Sequence, residues 1–412
     1  MPDVNPTETL WQSHRAKVML DPTVTQLNAG TCSPTPKPVF DRVSELRRKQ
    51  AQSPTEFQWR DAWQHLRRSR RALGAYLNGN ERDFALLENV TVALNIAAQS
   101  LQLPAGAEVL TSDHEYGSIV ALFRRLANDR GWTFRTVELP GTIEDPQQIV
   151  DAFSQAISRH TKVLTFSHIS SPSGLIFPAE ALCALARERG LITVIDGAHA
   201  PGQVDVDLKK IDADFYTANC HKWMMAPASV GFLHAGPRLK HLAHSVVSSW
   251  GHGYAPEQAE DEAFPGTSKW QYDLEFHGTT DRSPQMVLEE VVKFRNEIGG
   301  NDAVFARVRH LATELRLRLR GIELVPFLPH DDRLVGTMTT FILPEQYQTA
   351  GGFIATPTDS PAQQLQRRLW DKHRIECPTT FSAGKVFLRV STAWFNTVEE
   401  IDRLSRALAE TL

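Results

Sequence analysis

Asp196 and Lys222 are the two residues whose surroundings point most directly to chemistry. The carboxylate ends an apolar run, Leu191 to Ile195, and opens the stretch Gly197-Ala198-His199-Ala200-Pro201-Gly202. The amine closes Asn219-Cys220-His221-Lys222 and is followed by Trp223-Met224-Met225, an apolar setting that desolvates an ammonium and favours its neutral, nucleophilic form. A lysine in that state condenses with aldehydes, and a buried aspartate holds a ring nitrogen protonated. Those are the two demands that pyridoxal phosphate makes on a protein. Each residue alone has an ordinary use, because aspartates after strands cap helices and most lysines sit in water. It is the pair that argues for a cofactor.

Other polar residues fall at similar places. Asn89 and Thr91 lie where a short apolar strand meets a helix, and a helix N-terminus offers free N–H groups to a phosphate; an ordinary cap suits them equally well. His114 and Tyr116 follow another strand end, where a flat ring can stack on a cofactor or simply pack. Arg389, in Leu388-Arg389-Val390-Ser391, is a charge inside an apolar strand and needs a partner, either a structural carboxylate or the carboxylate of a substrate. No G-x-G-x-x-G or Walker-type loop is present, which disfavours a nucleotide, and no H-E-x-x-H or paired Cys/His spacing suggests a metal. Cys377 before Pro378 reads as an inert thiol rather than a nucleophile. The run Arg67-Arg68-Ser69-Arg70-Arg71 reads as a solvated helix face.

These residues need strands to carry them. Apolar strands are expected at Phe84–Leu87, Val109–Thr111, Thr133–Leu139, Lys162–Phe166, Leu191–Ile195, Phe215–Ala218 and Val230–Leu233. Helical stretches alternate with them: one from Asn89 through Leu101, then Ser118–Arg130, Ile149–Ser158, and Pro178–Arg189 with Gly190 at its C-terminal cap. Alternation of this kind predicts an α/β fold with a mostly parallel sheet covered on both faces. Active-site residues then gather at the carboxyl ends of the strands. Asn89, Thr91, His114, Tyr116, His168, Asp196 and Lys222 all fall just past such ends.

Beyond this the pattern changes. Trp250–Gly278 reads as a long irregular segment, followed by helices at Pro284–Glu297 and Ala303–Arg320. Strand-like pieces at Thr339–Leu343 and Lys385–Val390 flank a helix at Ala362–His373, and a last helix closes at Leu412. Pro344–Pro361, with Gly351-Gly352, reads as a surface loop or insertion. The expected division is an N-terminal segment, 1–25, packing with the small domain, a large cofactor-binding domain, 26–280, and a small α+β C-terminal domain, 281–412. The loops around Cys32, Trp250–Gly278 and Pro344–Pro361 are expected to shape the substrate pocket.

Composition sets the remaining bounds. The 412 residues, 42% hydrophobic and 22% charged, suit an ordinary two-domain globular protein with a sizeable core. A net charge of −4 gives no reason to expect nucleic acid or an anionic membrane as a partner. Four scattered cysteines fit a reducing compartment, and Met1–Leu20 has neither signal-peptide nor membrane-span character, so a cytoplasmic enzyme is expected.

Taken in order along the chain, a set of motifs resembles one known family. They are Leu27-Asn28-Ala29-Gly30, Asn89-Val90-Thr91, His114-Glu115-Tyr116-Gly117 and His168-Ile169-Ser170-Ser171-Pro172-Ser173-Gly174. Asp196-Gly197-Ala198-His199, His221-Lys222, Gly278-Thr279-Thr280-Asp281, Arg389-Val390-Ser391 and Phe395-Asn396-Thr397 complete them. They resemble the class V, cysteine desulfurase-like branch of the fold-type I pyridoxal phosphate enzymes. The versions found here are most similar to its isopenicillin N epimerase-like group.

The resemblance implies a seven-stranded, mostly parallel sheet and a homodimer with shared sites. It implies Lys222 as the Schiff-base lysine, forming the internal aldimine, and Asp196 on the pyridine nitrogen. Tyr116 would cover the ring, Ala198 would lie under it, and His199 would neighbour the phenolic oxygen, near which Ser171 replaces the asparagine of desulfurases. Thr91, Asn219 and His221, with Asn89 beside them, would hold the phosphate, joined by Thr279 from the second subunit. Arg389 would bind the substrate α-carboxylate. The implied activity is epimerisation or racemisation at Cα of an amino acid, with Tyr116 or His114 as proton donor on the opposite face. A desulfurase-like C–S lyase and a class V aminotransferase are the alternatives. Where desulfurases carry R-x-G-x-H-C-A, this chain reads Arg374-Ile375-Glu376-Cys377-Pro378-Thr379, which speaks against desulfuration.

Overall fold

The computed structural model describes residues 6–250, 252, 262–348 and 360–412. Seven strands build its central sheet: β1 Phe84–Leu87, β2 Glu108–Ser112, β3 Thr133–Val137, β4 Thr161–Ser167, β5 Ile192–Asp196, β6 Phe215–Asn219 and β7 Gly231–Ala235. Their spatial order is β1-β7-β6-β5-β4-β2-β3. The pairs from β6 to β3 are all parallel, whereas β7 runs antiparallel to both β1 and β6.

Side chains alternate between two cores, as the period of two along a strand requires. Leu86, Leu164, Ile195 and Phe232 point into one, and Leu87, Val163, Val194 and Leu233 into the other. Burial on both faces explains why these strands read as near-continuous apolar runs rather than alternating ones. Between them run helices Val90–Gln99, Gly117–Arg130, Gln147–Ala156 and Ala179–Glu188. The last of these ends as expected, with Gly190 in the left-handed region just past the final turn.

A second, antiparallel sheet contains β8 Val325–Pro326, β9 Met338–Ile342, β10 Thr379–Ser382 and β11 Lys385–Ser391, in the order β8-β9-β11-β10. Its own core joins Leu388 and Val390 to Leu311 and Leu315 of helix Gly300–Arg318, Leu365 and Leu369 of helix Pro361–His373, and Leu404 and Leu408 of helix Val398–Thr411. The start of the chain is tied to these elements. Thr25–Gln26 pairs in parallel with Ile375–Glu376, and the carboxylates of Glu8 and Glu400 meet Arg307 and Arg15.

Two expectations are corrected. Of the segment expected to be irregular, residues 251 and 253–261 lie outside the described residues, but the rest is ordered: strands Glu262–Phe264 and Thr267–Ser268 lead into helix Lys269–Glu275. Ser268 caps that helix through a reciprocal bond with Gln271, a capping box hidden by the Gly, His and Trp content around it. Of the loop expected at Pro344–Pro361, residues 349–359 lie outside the described residues, and Glu345–Tyr347 forms a single 3-10 turn.

The basic run is the second correction. Arg67, Arg68 and Arg71 are exposed, but Arg70 is 1% exposed and paired with an equally buried Glu275 at 2.6 Å. The same guanidinium donates to Gly266 O at 2.9 Å and Thr267 Oγ1 at 2.7 Å, and Glu275 also accepts from the amide of Leu86. Edge strand β1 is thereby tied to the capped helix and to helix Ala62–Tyr76. Removing one partner of a buried, hydrogen-bonded pair strands the other's charge in a low-dielectric setting. Arg70→Ala is expected to lower unfolding free energy by about 3–5 kcal/mol, read from urea denaturation, whereas Arg71→Ala should change it by less than about 0.5 kcal/mol.

Candidate active site

A cleft of about 1330 Å3 opens at the carboxyl ends of the parallel strands. Asn89, Thr91, His114, Tyr116, Ser171, Asp196, Ala198, His199, Asn219, His221, Lys222 and Arg389 all line it, so the structure brings together eleven of the twelve residues named for the site and also His114. Thr279 is the exception. It is exposed and does not line the cleft of its own chain. His168, expected on the same rim, lies beneath it, with its amide donating to Asp196 O and its ring against the hydroxyl of Tyr216.

The turn after β5 and the turn after β6 are locked backbone to backbone. Gly202 has a φ of +89°, and a Cβ there would stand 2.6 Å from the carbonyl carbon of Trp223. Only glycine fits both constraints. This contact sets Lys222 against His199, with Nζ and Nε2 2.9 Å apart. Burial pushes the Lys222 amine down to about 8, partly opposed by the charge of Asp196. Asp196, 2% exposed, is pushed up to about 6 by burial while its Oδ1 accepts from the amide of Ala198 at 2.8 Å.

Next to Asp196 stands Glu115, to which the sequence reading gave no role. It is buried, and its two carboxylate oxygens accept from Ser167 N at 2.6 Å and Ser167 Oγ at 2.9 Å. Ser167 faces Asp196 across the ladder between β4 and β5. Burial, reinforced by the nearby Asp196 charge, pushes Glu115 up to about 8, so near neutrality this carboxyl tends to keep its proton. A carboxylate three residues past a strand end was the only sign of it in the sequence.

Beside Glu115 in the chain, His114 packs against Phe327 with ring centroids 5.8 Å apart. Its tautomer follows from counting donors. Ser170 Oγ donates to the His114 carbonyl at 2.8 Å, so Ser173 Oγ donates to Ser170 Oγ, also at 2.8 Å. Ser173 Oγ can then only accept from His114 Nδ1. The ring proton sits on Nδ1 and Nε2 carries a lone pair. Burial pushes this imidazole down to about 4, which keeps it neutral.

Arg389 lies in β11, 4% exposed. Its guanidinium donates to Ser171 O at 2.8 Å, Ser171 Oγ at 3.1 Å, Asn28 Oδ1 at 3.0 Å and Thr31 Oγ1 at 3.2 Å, and its Nε has no partner. Every partner is neutral. Of the two uses expected for this charge, a structural carboxylate is therefore absent among the described residues, and burial pushes the guanidinium down to about 10. Cys377 lies off the cleft, inside the core of the second sheet, with its thiol toward Arg389 O at 3.5 Å and pushed up by burial.

These residues fit pyridoxal phosphate. A buried carboxylate and a desolvated amine share one cleft with the first turn of helix Val90–Gln99. There Asn219 accepts from Val90 N at 2.9 Å, Asn89 accepts from Val92 N at 3.0 Å, and Thr91 stands exposed between them. The Nδ1 atom of His221, a further buried polar atom on this cleft, has no partner among the described residues. An anion at the helix start and a protonated ring nitrogen at Asp196 would complete both ends of the cradle.

Comparison with known proteins agrees. The model of the class V aminotransferase family matches residues 25–354. Isopenicillin N epimerase of Amycolatopsis lactamdurans is 39% identical over 410 residues, covering 98% of each chain. That of Streptomyces clavuligerus is 38% identical and covers 97% of each. Among solved structures, the enzyme C-DES, captured as a mutant with glycine covalently linked to its PLP cofactor, superposes with a TM-score of 0.82 over 97% of this chain and 99% of that one, at 17% identity.

The depressed amine has a direct consequence. Below its pKa Lys222 is an ammonium and unreactive; above it the lone pair is free. In the protein without cofactor, reductive methylation of Lys222 followed by peptide mass spectrometry should show a midpoint near pH 8.

Proposed function

The chain belongs to the class V aminotransferase family of pyridoxal phosphate enzymes, and from that premise we propose that it inverts the configuration at Cα of an amino-acid-type substrate. Kinship with two isopenicillin N epimerases over nearly the whole chain supports inversion as the reaction. The observation that carries the substrate class is Arg389, a buried guanidinium whose partners are all neutral, on the same cleft as a desolvated lysine. A carboxylate next to an amine-bearing carbon satisfies both.

In this reading Asp196 holds the ring nitrogen, His199 the phenolic oxygen, and Tyr116 and Ala198 the two ring faces, with Ser171 nearby. Asn89, Thr91, Asn219 and His221 hold the phosphate, and Thr279 reaches it from a second copy of the chain, which makes the working enzyme a homodimer. Pyridoxal phosphate, when bound, supplies a ring that withdraws electron density from the substrate Cα and so acidifies its proton.

Arg389 clamps the substrate carboxylate and thereby fixes how Cα is turned. The Lys222 amine, whose hold on a proton is weakened by burial, takes the Cα proton on its own face. Inversion needs a proton delivered to the other face. His114 cannot supply it in its resting state, because its one ring proton is committed to Ser173. Tyr116 lines the cleft, is 47% exposed and carries an O–H donor, so the proton is assigned to Tyr116. A desulfurase route through a Cys377 persulfide is the weaker reading, since that thiol is buried and does not line the cleft.

The test is incubation of the loaded enzyme with a panel of amino acids and short peptides in deuterated water. Deuterium entering Cα with loss of chirality is the expected result, and exchange with complete retention would sink the proposal. Tyr116→Phe should slow inversion by about 100-fold or more while leaving washout of the Cα proton by Lys222 in place.

A further inference from the structure

We infer that Trp223 is a positioning residue for Lys222, acting through the tautomer of His199; this rests on the reading of Lys222 as the reactive amine. The indole N–H of Trp223 lies 3.4 Å from His199 Nδ1 and can only donate. His199 Nδ1 must therefore be bare. A neutral imidazole with one bare nitrogen carries its proton on the other, so His199 presents Nε2–H, and the atom 2.9 Å away is Lys222 Nζ. For that bond to form the amine must accept, which only its uncharged form can do.

Charging Lys222 reverses the requirement. An ammonium has no lone pair, so His199 Nε2 would have to accept and the ring proton would move to Nδ1. There it would face the indole N–H, donor against donor. Putting a second proton on His199 is no escape, because the ring is buried and Lys222, Arg389 and His221 all oppose a charge on it. The other groups acting on the amine are Asp196, which favours the ammonium, Arg389, which opposes it, and Cys32 of the loop after Asn28, which favours it weakly. Trp223 thus sides with burial and Arg389 against the pull of Asp196. The same tautomer leaves a neutral N–H donor pointed into the cleft whenever the amine moves away.

Trp223→Phe keeps the ring and deletes the donor. In protein without cofactor, held at a pH above the Lys222 midpoint, 15N spectra of labelled histidine should place the wild-type His199 proton on Nε2, and in Trp223→Phe should show population of the Nδ1–H form. The pH midpoint for methylation of Lys222 should rise by about one unit in the variant, the tenfold effect expected of one buried hydrogen bond. In a His199→Gln background the same change at Trp223 should leave the midpoint unmoved. A folded Trp223→Phe protein with both tautomer and midpoint unaltered overturns the inference. So does a wild-type spectrum with the proton on Nδ1, a result that needs no variant to fold. Failure of the functional reading shows separately, as a bound-cofactor absorbance that survives Lys222→Ala.

Discussion

Asp196 and Arg389 are buried on one cleft with the half-buried Lys222, and none of the three forms an ion pair with another described residue. Removing charges from water is costly, and proteins ordinarily meet that cost with a countercharge or by neutralising the group. Here neutralisation is partial, with the amine and guanidinium pushed down and the carboxyl pushed up. In the proposed function, what remains unmet would be supplied by the ligands: a protonated ring nitrogen at Asp196, an aldehyde at Lys222 and a carboxylate at Arg389. The surrounding fold serves to hold this unbalanced set rigid.

Rigidity comes from features remote from the chemistry. Gly202 lets two turns touch so that Lys222 meets His199, and the Ser170–Ser173 relay fixes the face that His114 shows. Two sheets with separate cores contribute to one site, since Arg389 reaches Asn28 and Ser171 from a strand of the second sheet. The stretch just after the N-terminal segment takes part directly through Asn28 and Thr31.

Much of this was legible in the chain. Asp196 stands out because a fully buried strand reads as an unbroken apolar run, so the carboxylate that ends it is conspicuous, and Lys222 stands out by the apolar Trp223-Met224-Met225 that follows it. Arg389 stood out as a charge inside such a run. Glu115, Trp223 and the Ser170–Ser173 relay did not, because their roles depend on which atom faces which across elements far apart in sequence. Arg70 looked like one of four solvated arginines; only the packing of helix Lys269–Glu275 against β1 makes it different. Thr279 was placed by resemblance alone, and one copy of the chain leaves it facing outward.

The central claim is that one lysine out of all those in the chain carries the cofactor. Borohydride reduction of the loaded enzyme, followed by proteolysis and peptide mass spectrometry, tests it most directly. The expected result is a single modified peptide with the added mass on Lys222, absent from Lys222→Ala. Stoichiometric modification of any other lysine, or none at all in protein saturated with cofactor, would contradict the account.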